Sequence, residues 1–303
     1  MDPLSDVFRL LNVEGMLSAR VEAAGPWALA FPAYRHIKFG GVIEGARWLW
    51  TEQDGAWTEL APGDFYLLSD GRPYRFASDP GAALGDGTQV MAEGLGADGI
   101  VRFGAGELKT VGAGGRFTLD EELGGWLLQL LPPSIVVRAA APQAQALGPL
   151  LELIQLETRA AQPGASALAG QLAAMVLIQI LRAHLAGGAR AGWLGALADA
   201  RIGRALALMH GEVERPWTVA ELAAAVAMSR TSFAERFRSR VGLPPLDYLA
   251  RWRMTLARHA LKSNDDTLAR IGRAIGYESE TAFGLAFKRI VGESPGRYRT
   301  RFR

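Results

Sequence analysis

Apolar positions along this chain change their period near residue 140. Before that point, short alternating runs are broken by Gly, Pro and Asp. They predict strands over 35–43, 46–51, 56–60, 64–69, 72–77 and 115–119. Strands at this spacing with turn signals suggest a β-barrel or jelly roll. Beyond it, apolar residues recur at three and four. Residues 144–158 and 166–185 read as two amphipathic helices separated by Gln162-Pro163-Gly164. Leu147, Leu150, Leu151 and Ile154 form one apolar face, and Leu172, Val176, Leu177, Ile180 and Leu181 form the other. Such a hairpin serves equally as a layer on the barrel or as a dimer seam. The glycine-rich stretch 187–192 reads as a linker, with Trp193–Leu197 docking on the C-terminal module.

The C-terminal third is a duplication. Residues 229–253 and 279–303 align without a gap, 50 positions apart, with ten identities in 25 positions. Ser229, Thr231, Phe233, Phe237, Val241, Gly242, Pro245 and Tyr248 recur as Ser279, Thr281, Phe283, Phe287, Val291, Gly292, Pro295 and Tyr298. Each copy reads as a serine cap, a helix with apolar residues at i, i+4 and i+8, and a glycine stop. A short helix precedes each copy; the first opens on the capping box Thr218-Val-Ala-Glu221, the second on Thr267. Two helices joined by a tight turn, the second presenting polar and basic residues, form a helix-turn-helix. This chain carries two in tandem.

With the phenylalanines inward, Arg230, Thr231, Ser232, Ala234, Glu235 and Arg238 face out in the first copy, and Arg236 and Arg240 flank them, suited to phosphates. In the second copy Ser279, Glu280, Thr281, Gly284, Leu285, Lys288 and Arg289 take those places. Arg297, Arg299, Arg301 and Arg303 read as a basic tail for phosphates. Between the units, 246–262 reads as one helix with Leu249, Trp252, Leu256 and Ala260 on its inner side. At about 24 Å it could hold two reading helices roughly one DNA turn, about 34 Å, apart.

Residues 199–303 resemble the DNA-binding domain of the AraC/XylS family of bacterial transcription regulators. The resemblance rests on Pro216-Trp217-Thr218, Met228-Ser229, Pro244-Pro245-Leu246, Trp252-Arg253-Met254, Ile275-Gly276-Tyr277, Ala286-Phe287-Lys288-Arg289 and Ser294-Pro295-Gly296-Arg297-Tyr298. It implies promoter DNA as the partner, with base-reading positions at Thr231, Ala234 and Glu235, and at Glu280, Thr281 and Leu285. It also implies a homodimer, with RNA polymerase as a further partner. Family members often carry Ser-Arg where this chain has Gly284-Leu285, and leucine cannot make arginine's bidentate contact to guanine. Most base discrimination is therefore expected in the first unit. Upstream, 60–74 and 39–45 resemble the cupin barrel found ahead of this domain in one regulator subfamily.

Charge follows the same division. The net charge of +2 conceals 13 Lys/Arg against 20 Asp/Glu in residues 1–189, and 20 against 11 in residues 190–303. The basic part coincides with the duplicated module, as a phosphate-neutralising surface requires. The chain has no cysteine, which excludes disulfides and thiol chemistry. No apolar run is long enough for a membrane span, and the start lacks a secretory signal, so a cytoplasmic protein is expected.

The barrel likeness raises a cupin-type metal enzyme as an alternative. Its histidines, His36, His184, His210 and His259, form no ligand motif, and Gly40 and Tyr74 stand where metal-binding cupins place histidines. No catalytic residue, metal or cofactor is therefore expected, and His36 reads as a hydrogen-bonded wall residue. Effector-pocket candidates are His36, Lys38, Trp48, Trp50, Tyr66, Tyr74 and Phe76, with a barrel simply filled by its aromatics as the even alternative. Parity alone leaves open which of Phe65 and Tyr66 points inward. The expected fold is α+β in two domains: a cupin-like barrel over 1–140 with a helical hairpin over 141–187, then a linker over 188–198 and an all-α tandem helix-turn-helix over 199–303.

Overall fold

The computed structural model describes residues 2–10, 14–107, 109–118, 126, 131–159, 163–187 and 192–302. Leu119, Gln162, 188–191 and Arg303 lie outside the described residues. The described residues fall into two compact units, one drawn from 13–119 and 132–187, the other from 1–12, 120–131 and 188–303.

The first unit is a two-sheet barrel with a helical hairpin. Its strands are β1 (Glu14–Ala24), β2 (Ala28–Phe31), β3 (Ile37–Glu44), β4 (Arg47–Thr51), β5 (Trp57–Leu60), β6 (Phe65–Leu68), β7 (Tyr74–Ala77), β8 (Leu84–Asp86), β9 (Ile100–Gly104), β10 (Lys109–Thr118) and β11 (Ser134–Val137). One sheet runs β11-β6-β3-β10-β1-β9 and the other β5-β4-β7-β2-β8. Most pairings are antiparallel, but β1 with β9 and β2 with β8 are parallel. A short helix, α2 (Gly87–Glu93), is capped by Asp86, whose side chain accepts from the Thr88 and Gln89 amides.

Alternation places β3 to β7 within two residues of their expected ends. The expected strand at 115–119 is instead the tail of the long β10. Its Gly112, Gly114 and Gly115 carry little strand propensity, but the segment is paired on both sides, by β1 and β3. Between the sheets lies a core of Trp27, Leu29, Val42, Leu49, Leu60, Leu68, Tyr74 and Phe76. Phe65 is almost wholly buried, while Tyr66 packs against the inter-sheet core with Leu68, which resolves the parity of β6. The hairpin helices α3 (Leu147–Arg159) and α4 (Ala165–Ala186) follow a 3-10 turn over Pro142–Ala146 and pack on β1, with α4 also meeting β6 and β11.

The second unit contains α1 (Pro3–Leu10), α5 (Gly192–Ala198), α6 (Ala200–Gly211) and two helix-turn-helix units. α1 lies in a stretch where only strands were expected, and it packs on α6. The first helix-turn-helix is α7 (Val219–Ala225) and α8 (Arg230–Val241); the second is α10 (Leu268–Ala274) and α11 (Glu280–Val291). Between them runs α9 (Pro245–Ser263), 19 residues long, and α12 (Pro295–Arg301) closes the chain. Leu249 and Trp252 of α9 are buried as expected, and Leu256 and Ala260 pack against the second unit's core.

The caps repeat with the sequence. Ser229 accepts from the Ser232 amide, Ser279 from the Ala282 amide, and the Thr218–Glu221 capping box is complete. Gly242 and Gly292 end the reading helices with φ of 85° and 94°. The turns repeat too: the Ala227 amide bonds the Ala224 carbonyl, and the Gly276 amide bonds the Arg273 carbonyl. Ala227 holds φ of +52° where its counterpart Gly276 holds +86°, so the first turn tolerates a left-handed residue bearing a side chain. At 276 an added Cβ would lie 2.4 Å from the Glu214 carbonyl oxygen, so only glycine fits there.

A buried polar chain anchors the first helix-turn-helix. Trp193 Nε1 donates to Tyr248 Oη at 3.0 Å, and Tyr248 Oη lies 2.8 Å from His210 Nε2. Indole can only donate, which leaves the tyrosine hydroxyl its own proton to offer to His210 Nε2; in that arrangement the imidazole proton is assigned to Nδ1. Nδ1 faces Asp6 Oδ2 of α1 at 3.5 Å. Burial drives the His210 pKa down to about 3, with Asp2 pushing the other way. A folded-state value below the unfolded one means that stability is complete above about pH 6.5 and is lost as pH falls towards the folded value. Denaturant titration should show this unit weakened by about 2 kcal/mol on going from pH 7 to pH 5, at about 1.4 kcal/mol per pH unit. His210→Gln should flatten that dependence; an unchanged slope would reject the assignment.

Candidate nucleic-acid interface and the barrel cavity

Each reading helix is oriented by its apolar stripe. Phe233, Phe237, Phe283 and Phe287 are all 0% exposed, and Tyr248 and Tyr298 close over them from the next helix. The opposite faces are therefore turned to solvent. On α8, Arg230, Thr231, Ser232, Glu235, Arg236 and Arg238 are exposed, whereas Ala234 is half-buried. On α11 and its cap, Ser279, Glu280, Thr281, Lys288 and Arg289 are exposed, and Leu285 is 69% exposed. Arg230, Thr231, Glu235 and Arg238 make no side-chain hydrogen bond or ion pair with other described residues. Ser232 differs, because its hydroxyl accepts from Ser229 Oγ at 2.9 Å.

Several arginines are already committed. Asp199, the N-cap of α6, accepts from the Arg201 and Ile202 amides and from Arg236 Nε and Nη2 at 3.0 and 2.7 Å. Arg240 Nε lies 3.7 Å from the same carboxylate. Burial tends to raise the Asp199 pKa, but the Arg236 bond and the two amides outweigh it and hold the group below its ordinary value. This carboxylate ties the reading helix to α6 and occupies part of the Arg236 fork. Nothing in the sequence spacing marks that partnership, since 37 residues separate the two.

The expected basic tail is a helix instead, because Ser294 caps it and Tyr298 buries its face. Arg301 pairs with Glu293 at 2.8 Å, Arg297 approaches Glu293 at 3.8 Å, and half-buried Arg299 donates to the Asp266 carbonyl. Of these, Arg297 keeps the most exposed side chain, at 83%.

In the barrel unit a cavity of about 300 Å³ opens between the sheets. Lys38, Tyr66, Tyr74 and Phe76 line it; His36, Trp48 and Trp50 do not. For the tryptophans the reason is parity on β4, where Leu49 and Thr51 point inward, so Trp48 and Trp50 face out and Trp50 stacks on Arg75. The same parity sends Arg47 inward, a residue that sequence reasoning passed over although the alternation around Leu49 contains the signal. Trp27, Phe31 and Phe103 join it in the lining. Gly40 leaves room for the opposed Tyr66 ring, as a Cβ there would lie 2.5 Å from Tyr66 Oη. Among the described residues, no group of His, Cys, Asp or Glu could hold a metal ion.

A barrel of cupin type and a tandem helix-turn-helix define a two-domain DNA-binding regulator. Residues 2–186 match the cupin family model and residues 222–301 a helix-turn-helix domain model. An AraC-like transcription regulator of Streptomyces antibioticus is 43% identical over 304 residues, covering 99% of this chain and 98% of its own. The HTH-type transcriptional regulator AlkR of Acinetobacter baylyi is 32% identical over 310 residues, covering 99% of each. Among solved structures, the DNA-binding domain of AdpA in complex with a target DNA matches at 32% identity, covering 33% of this chain and 91% of its own, with a TM-score of 0.32. The chain belongs to the AraC-like transcription regulators, with a cupin domain at its N-terminal side, and its function is DNA-binding transcription regulation.

Replacing Asp199 with Ala removes the α6 cap and releases the Arg236 fork. Chemical denaturation should show a loss of at least about 1 kcal/mol. Non-specific DNA affinity should rise with the added free charge. Unaltered stability would show that the cap and ion pairs contribute nothing.

Proposed function

We propose that this regulator reads operator DNA mainly through α8 and adds affinity through α11, under control of a small molecule in the barrel. The observation that carries the reading is the pair of inward phenylalanine stripes, which leave two polar helix faces free in one unit. Thr231 and Glu235 stand as base readers, with Glu235 suited to the amino group of cytosine. Half-buried Ala234 contributes at most a methyl contact. Arg230 and Arg238 meet phosphates, as do Lys288, Arg289 and Arg297, while Ser232 and Ser279 hold the helix starts. Arg236 keeps only the part of its fork that Asp199 leaves open, and Arg299 supports the Asp266 loop rather than DNA. Glu280 and Thr281 border a surface whose centre is Leu285, a side chain fitted to a thymine methyl group and unable to read guanine.

The remaining assignments rest on separate observations. Exposed Leu153, Leu156, Leu168 and Met175 on the hairpin favour a homodimer through that face. The lined cavity favours an effector, with Lys38, Tyr66, Tyr74 and Phe76 in contact. Promoter DNA as the partner, with RNA polymerase as a further one, supports a cytoplasmic location. No helix among the described residues is long and apolar enough to cross a membrane.

Selection of bound sites from random duplexes tests the reading directly. Glu235→Ala should change which bases are enriched, whereas Arg238→Ala should weaken all duplexes alike and reduce the salt slope by about one. Enrichment identical to wild type in the Glu235 variant would remove that residue from base reading. Leu285→Arg should add a guanine preference worth about 1–3 kcal/mol at the second half of the site; unchanged footprints would refute the account of α11.

A further inference from the structure

The barrel cavity holds two cationic side chains and no acidic one. Among the described residues lining it, no Asp or Glu occurs. Lys38 is internally satisfied: its ammonium donates to Tyr74 Oη at 2.8 Å and sits 5.7, 5.2 and 4.9 Å from the Phe31, Tyr34 and Tyr74 ring centres. Arg47 is not. Its Nη2 donates to the Val21 carbonyl at 3.2 Å, its guanidinium lies 5.7 Å from the Trp27 ring centre, and its buried Nε has no acceptor. Position 112 must lack a side chain for this placement, since a Cβ there would lie 2.6 Å from Arg47 Nη1. Burial pushes the Arg47 pKa down to about 10, so the group remains charged at neutral pH.

An enclosed guanidinium without a counter-charge is costly, and replacing such a group by an apolar one is often neutral or stabilising. What the fold leaves unpaired is donor capacity on a planar fork, whose N–H groups match the two oxygens of a carboxylate. Around it stand flat apolar surfaces: Trp27 and Phe103, edge to face at 5.3 Å, with Leu29 and Phe76. The volume, about 300 Å³, is roughly twice that of a cavity that takes benzene, and lies at the small end of ligand pockets.

We propose that the cavity binds a small organic acid, its carboxylate on Arg47 and its aromatic or short aliphatic body among Trp27, Phe76 and Phe103. This rests on the reading of the barrel as an effector site and narrows the effector to a chemical class. Lys38, turned to Tyr74 inside its ring of aromatics, supplies positive potential without being the anchor. A quaternary ammonium ligand is disfavoured because Lys38 already fills the aromatic cage.

The test uses the full-length protein and calorimetric titration with benzoate, phenylacetate and hexanoate, each against its primary amide. At least one acid should bind ten-fold or more tightly than its amide. Arg47→Met and Arg47→Gln should abolish that preference while melting at or above the wild-type temperature, and Lys38→Met should retain most of it. Equal affinity for every acid and amide, binding by none of them, or undiminished acid preference in both Arg47 variants overturns the assignment. Because the acid–amide comparison is made on the wild-type protein, it decides even if the variants fail to fold. Operator binding measured with and without each ligand separates the two readings. Acid binding at Arg47 without any effect on DNA leaves the site standing and removes the effector role. Amides that bind as well as acids and alter DNA affinity do the reverse.

Discussion

The molecule's DNA-facing chemistry depends on one packing constraint, the burial of an apolar stripe at i, i+4 and i+8 on each reading helix. Phe233, Phe237 and Val241 fix the rotation of α8 about its axis, and Phe283 and Phe287 fix that of α11. Burying a phenylalanine contributes about 1.5–3 kcal/mol, so a helix turned the wrong way would forfeit far more than any exposed polar contact returns. The serine caps and left-handed glycines then set where each helix begins and ends. Rotation and start point together decide which side chains each helix turns to solvent, so the face proposed to read DNA is set by residues buried behind it.

Much of this was legible in the sequence because its signals are local. Caps, stripes and glycine stops each need only a few adjacent positions, and duplication repeats them. The central strands of the barrel were readable for the same reason. What escaped was set by distant partners. β1 and β10 are poor in strand-favouring side chains and exist through pairing with each other and with their outer neighbours, β9 for β1 and β3 for β10. The Asp199–Arg236 pair and the docking of α1 on α6 join positions far apart in the chain. The tail at 295–301 looked like free basic residues because Tyr298, which together with Pro295 is buried, is hidden between arginines.

Strand parity decides which of the pocket candidates line the cavity. Aromatic residues attract notice as ligand contacts, yet Trp48 and Trp50 occupy the outward positions of β4 while the arginine beside them turns in. Composition favours the tryptophans; the two-residue period of a strand favours the arginine, and backbone geometry prevails. The inner wall that results combines aromatic surface with two cationic side chains and, among the described residues, no acidic one.

Asp199 has one further consequence. By gripping Arg236 and standing near Arg240, it installs a resident competitor beside the reading helix. A backbone phosphate approaching this flank must displace a carboxylate or make do with the outward half of the fork. On the reading proposed above, the grip on arbitrary duplex would be loosened without altering the side chains assigned to base contact, and the protein would leave wrong sites more readily during its search.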